Sequence, residues 1–142
     1  MNGIVLDVNM SGYLLLFPRM FEALGLFEVW ASYSIELLRV ADLGLPDEAS
    51  DRLVWNLCRS RNLILLTDNR NNDGPDSLEA TLAEQTEFDF LPVLTIANKQ
   101  KFHRERSYAL TASSSLLDVL ADIARGEYRG SGRLYIPKKP GH

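Results

Sequence analysis

Residues 62–67 constrain the fold more tightly than any other stretch of this chain. Asn62 is followed by Leu63-Ile64-Leu65-Leu66 and then Thr67, four large apolar side chains with no polar one between them. Successive side chains of a strand point to opposite faces, so an unbroken apolar run needs both faces covered. Such strands belong in the middle of a parallel sheet sandwiched between helices. Gly3–Val8 is a second apolar run, broken by Asp7, and Phe90–Ala97 is a third.

Helical patterns lie between these runs. Gly12–Leu24 has helical apolar spacing, with Ser11 as a cap, Pro18 inside and Gly25 at the end. Pro46-Asp47-Glu48 predicts a helix start, running to about Arg61 with Leu53, Val54, Leu57 and Cys58 on its apolar side. Further helices are expected over about Ser77–Gln85 and over Ser113–Arg125. Leu26–Tyr33, rich in aromatic and β-branched residues, reads as a strand. Ile35–Leu45 is open between helix and strand, Lys99–Ser107 reads as a basic loop, and Arg133–Ile136 as a short strand. The alternation predicts one α/β domain over residues 1–142, a three-layer sandwich with a central, mainly parallel sheet and right-handed crossovers. In such sheets ligands bind beyond the carboxyl ends of the strands.

Polar residues gather where those ends should be. Asp7 and Asn9 follow the first run; Asp68, Asn69 and Asn71 follow the Leu63–Thr67 run. Asp51 shares a helix face with Val54, Trp55 and Cys58, which turns its carboxylate inward near the helix start. Carboxylates crowded into a low-dielectric cleft repel each other, and a hard divalent cation with a preference for oxygen relieves the repulsion. Such a cation activates water and stabilises charge on a phosphodiester. Plainer roles stand beside these: Asp7 as a helix cap, Asp51 as a first-turn acid against the helix dipole, the Asn-rich loop as a turn.

Several function classes lack their signatures. The chain has no glycine-rich phosphate loop, no nucleophile elbow and no zinc-ligand spacing. One cysteine, Cys58, forms no internal disulfide and suits a reducing compartment, so a cytoplasmic location is expected. No membrane association is expected, because no apolar run reaches the length of a span and Met1–Asp7 is not laid out as a signal peptide. Charge is uneven: residues 99–142 hold nine Lys/Arg against four Asp/Glu, a net +5, and residues 1–98 hold six against fifteen, a net −9. A basic third beside an acidic body can hold a phosphate backbone in one place and a metal in another; a solvated surface with chance clustering is the plainer alternative. Lys99, Lys101, Arg104 and Arg106 would flank the acids as substrate-binding cations.

Three stretches resemble the PIN-like superfamily, in particular short bacterial proteins related to VapC-type toxin nucleases. They are Ile4-Val5-Leu6-Asp7-Val8-Asn9, Val40-Ala41-Asp42-Leu43-Gly44-Leu45 through Ala49-Ser50-Asp51, and Leu63-Ile64-Leu65-Leu66-Thr67. The second half resembles a narrower PIN-like subgroup through Asn69-Arg70-Asn71, Asp73-Gly74-Pro75-Asp76-Ser77-Leu78 and Gly132-Arg133-Leu134-Tyr135-Ile136-Pro137. The resemblance implies a metal-dependent ribonuclease, with a small antitoxin protein as a partner; a homodimer is also compatible. Asp7, Asp51 and a loop acid such as Asp68 or Asp73 would hold Mg²⁺ or Mn²⁺. Asn9, Asn69 and Asn71 would orient water or substrate, and Arg70 would meet a phosphate of the RNA. One departure stands out: the family's Asp-x-Asp pair is replaced by Asn69 and Asn71. An amide ligates through one neutral oxygen and cannot serve as a general base. The alternative expectation is therefore a non-catalytic PIN-like binding or regulatory module.

Overall fold

Five short strands form one sheet in the computed structural model, which describes residues 1–68, 91–128 and 133–137. They are β1 (Gly3–Leu6), β2 (Glu36–Arg39), β3 (Leu63–Thr67), β4 (Val93–Ile96) and β5 (Arg133–Ile136). All pairings are parallel, in the order β2-β1-β3-β4-β5. As the unbroken apolar runs demand, β1, β3 and β4 are buried along their whole length.

The two-residue period of the strands divides the core in two. Ile4, Leu6, Ile64, Leu66, Leu94 and Ile96 face one layer. That layer consists of α1 (Leu16–Ala23), α2 (Phe27–Ser32), α4 (Lys99–Arg104) and α5 (Arg106–Ala124), which contribute Phe17, Phe21, Trp30, Phe102 and Leu116 among others. Val5, Leu63, Leu65 and Val93 face the other side. There they meet α3 (Asp51–Ser60), through Val54, Trp55 and Cys58, and the short 3-10 turn Val40–Leu43. The expected three-layer α/β sandwich is therefore present, and its sheet is wholly parallel. No described helix is long and apolar enough to cross a membrane.

Four local expectations are corrected. Leu26–Tyr33 is not a strand; α2 occupies Phe27–Ser32. The reason is tertiary. Gly25, with φ +71°, ends α1, and the Leu26 N–H then bonds back to the Phe21 carbonyl. The reversal lays Trp30 against Phe21, ring centroids 5.0 Å apart. That contact outweighs the strand propensity of Phe27 and Val29, both of which are exposed. The edge strand is instead Glu36–Arg39, within the stretch left open by its sequence. Secondly, the helix expected from Pro46 begins at Asp51: Ser50 caps it, its Oγ accepting from Leu53 N at 3.2 Å. Thirdly, Lys99–Ser107 is no loop, because α4 and the first turn of α5 occupy it. Asn98 starts α4 by accepting from the Lys101 N–H at 3.0 Å. Fourthly, α5 begins seven residues earlier than Ser113. The helix expected over Ser77–Gln85 lies outside the described residues.

A candidate cation site at the β1–β3 switch point

Strand order decides where a crevice opens. From β1 the chain passes to β2 on one side and later to β3 on the other, so connections leave in opposite directions between β1 and β3. A sheet of order 2-1-3-4-5 binds its ligands there, beyond the carboxyl ends of the strands. Asp7 directly follows β1, and Thr67 ends β3. Both carry the parity of Val5 and Leu65, so both belong to the face covered by α3, whose first residue is Asp51.

A cavity of about 200 Å³ occupies that position. Its polar lining is Asp7, Asn9, Asp47, Asp51 and Thr67, over an apolar floor that includes Val40, Val54 and Leu65. Asp7 is held from both sides. Its Oδ2 accepts from Thr67 Oγ1 at 2.7 Å, and its Oδ1 accepts from the Val8 N–H at 2.6 Å. The second bond caps the 3-10 turn Val8–Tyr13, which also carries Asn9. The capping role read from sequence and the site role thus fall on one side chain. Thr67 itself is only 1% exposed, so its hydroxyl is fixed by the sheet rather than by solvent.

The electrostatics point the same way. Burial, the largest cause, raises the Asp7 carboxyl above its ordinary value of 3.8. The bonds from Thr67 and Val8 pull it back, and the charges of Asp51 and Asp68 push it up again. The donors are all hard oxygens, the chemistry that Mg²⁺ and Mn²⁺ prefer. Each Asp7 oxygen accepts one described bond and keeps a further lone pair. Among the described residues no three His, Cys, Asp or Glu side chains close into a full ligand set. Mg²⁺ does not require one, since it commonly binds through one or two carboxylates and keeps several waters. Asp7 and Asp51 fit that pattern.

The other expected residues fall into three groups. Asp68 does not line the cavity; its Oδ2 pairs with Lys99 Nζ at 3.4 Å. Asn69, Arg70, Asn71 and Asp73 lie outside the described residues. Lys99, Lys101 and Arg104 are carried by α4, and Arg106 opens α5. Cys58 is buried, and burial pushes its thiol up to about 12, which suits packing and not nucleophilic chemistry.

Two lining residues were not anticipated. Thr67 could have been found by extending the parity of Leu63 and Leu65 one step. Asp47 falls in the stretch expected to start the helix; the turn closed by Ala49 N–H to the Pro46 carbonyl leaves it exposed and lining the cavity. Comparison with models of known protein families, with characterised proteins and with solved structures finds no match to this chain.

Proposed function

We propose that the crevice binds Mg²⁺ or Mn²⁺ and that the protein is a PIN-like, metal-dependent ribonuclease. The observation carrying this reading is the convergence of Asp7 and Asp51, from different segments, on one small cavity at the switch point. Asp7 and Asp51 hold the cation, with Asp47 at the mouth. Thr67 and the Val8 N–H keep the Asp7 carboxylate aimed at one position, so little reorganisation accompanies binding. Asn9 offers an amide to water or substrate, and the apolar floor keeps the charges in a low-dielectric setting. Bound there, the cation supplies Lewis-acid activation of water and neutralises charge developing on a phosphodiester.

The test is RNA cleavage by the purified protein with Mn²⁺. Asp7→Asn and Asp51→Asn should each lower it by at least about 100-fold, the scale on which loss of one preorganised charge-stabilising group acts. Undiminished cleavage by either variant would remove the reading. The partner proposed with this function is a small antitoxin protein, and a homodimer is compatible with it.

One observation favours a second reading, a binding or regulatory module without catalysis. The one described acid of the 68–76 loop, Asp68, is engaged by Lys99 and not directed into the cavity. With Asn69 and Asn71 following it, the acid set is leaner than a nuclease of this kind would carry. Mn²⁺ binding without RNA cleavage would select that module.

A further inference from the structure

We infer that the exposed imidazole of His103, held by Tyr13, is a stacking platform for a base of single-stranded RNA that runs out of the crevice. The inference rests on the nuclease reading above and adds to it a subsite for the strand beyond the cation.

The 3-10 turn Val8–Tyr13 makes the connection. Its start belongs to the crevice: Asp7 caps it, and Val8 and Asn9 line the cavity. Its middle turns into the opposite layer, where Met10 is buried. Its last residue, Tyr13, packs edge-on against Phe102 of α4, ring centroids 5.3 Å apart. Asn9 and Tyr13 are four residues apart, which at the rise of a 3-10 helix is about 8 Å. A strand leaving the cavity over this turn meets α4 next.

There the Tyr13 hydroxyl and His103 Nδ1 share a hydrogen bond of 3.1 Å, and the two rings stand edge to face, centroids 6.0 Å apart. Packing accounts for Phe102, which is buried, and for the Tyr13 ring set against it. It does not account for His103, which is exposed. An exposed ring fixed in direction is what single-strand binding uses: every base has a π face, so stacking tolerates any sequence.

The surroundings carry the matching charge. From Lys99 to Arg106 the chain has four cations and one acid, Glu105, in a molecule whose net charge is −4. Lys101, Arg104 and Arg106 flank His103 in sequence and are exposed. Cations alone would suit an acidic peptide as well; the aromatic pair favours a strand that has bases to stack.

The test is anisotropy of a labelled ten-nucleotide single-stranded RNA with Mg²⁺ at pH 8.5, for wild type, His103→Ala, His103→Phe and Tyr13→Phe. Loss of one stacked base should weaken binding to His103→Ala by roughly 5- to 150-fold. The slope of log affinity against log salt should keep its wild-type value, because a ring and not a phosphate contact has been lost. His103→Phe should restore most of the affinity, which a purely hydrogen-bonding role for His103 does not allow. Tyr13→Phe keeps the ring on Phe102 but releases His103, and should fall between wild type and His103→Ala. An abasic strand of equal length should bind wild type and His103→Ala alike. Wild-type affinity in His103→Ala, no rescue by His103→Phe, or a glutamate decapeptide that competes as well as RNA does would each overturn the inference and leave the nuclease reading standing. Wild-type protein without RNA binding would bring down both.

Discussion

Asp7 carries two roles that pull in opposite directions. Its carboxylate caps the Val8–Tyr13 turn, yet it is partly buried beside other acids. Because its folded value lies above the ordinary one, the folded state holds its proton more tightly than the unfolded chain does. Its contribution is therefore a penalty, absent well below pH 3.8 and fully present once pH exceeds the raised folded value. In chelator, Asp7→Asn should be more stable than wild type at pH 7, and the gain should shrink as pH falls towards 3.5. Urea titrations at the two pH values test this, and a pH-independent gain would mean that charge is not the cause. Thr67→Val keeps the side-chain shape but removes the donor to Oδ2. Hydrogen bonds to charged groups contribute about 1.5–3 kcal/mol, and at neutral pH the variant should lose stability on that scale. Made together with Asp7→Asn, it should cost less, because the charge it served has gone.

Elements explain what was legible and what was not. Strands β1, β3 and β4 follow from largely apolar runs whose burial is dictated locally and leaves few alternatives. Asp7 was legible as a residue of this cavity's lining because it directly follows a readable strand, and Asp51 because its helical spacing to Val54, Trp55 and Cys58 holds wherever the helix starts. The strand expected at Leu26–Tyr33 was not legible as a helix, because the deciding contact, Trp30 on Phe21, depends on a reversal at Gly25. Asp47 was hidden by the four-residue uncertainty in where α3 starts. Two substitutions probe the elements directly. Ser50→Ala removes the cap that presents Asp51 and should cost about 1 kcal/mol in a chemical unfolding titration. Gly3→Ala is harsher than a strand alanine usually is: a Cβ there would stand 2.9 Å from the Glu36 carbonyl oxygen and 3.1 Å from Leu63 Cδ2. Forcing β1 and β2 apart should cost about 1–3 kcal/mol, the range for overpacking in a close-packed core. A neutral result would show that the edge strand is free to shift.

At the scale of the whole molecule, the proposed cation binding would be linked to folding. A ligand held only by the folded state stabilises it by about 2.7 kcal/mol at 100 times its dissociation constant. Mn²⁺ should therefore raise the melting temperature of wild type, and should fail to do so for Asp7→Asn or Asp51→Asn. Equal shifts in all three would place binding elsewhere. The strand order carries one more consequence, and it concerns time. Both neighbours of β1 come later in the chain, β2 some thirty residues on and β3 about sixty. During synthesis Gly3–Leu6 leaves the ribosome long before either partner does, an apolar strand with two unsatisfied edges. Until Thr67 has been made, nothing donates to Asp7 Oδ2 from across the sheet. A nascent chain of this protein therefore passes through a long interval that invites chaperone capture or aggregation, and throughout it the protein has no pocket.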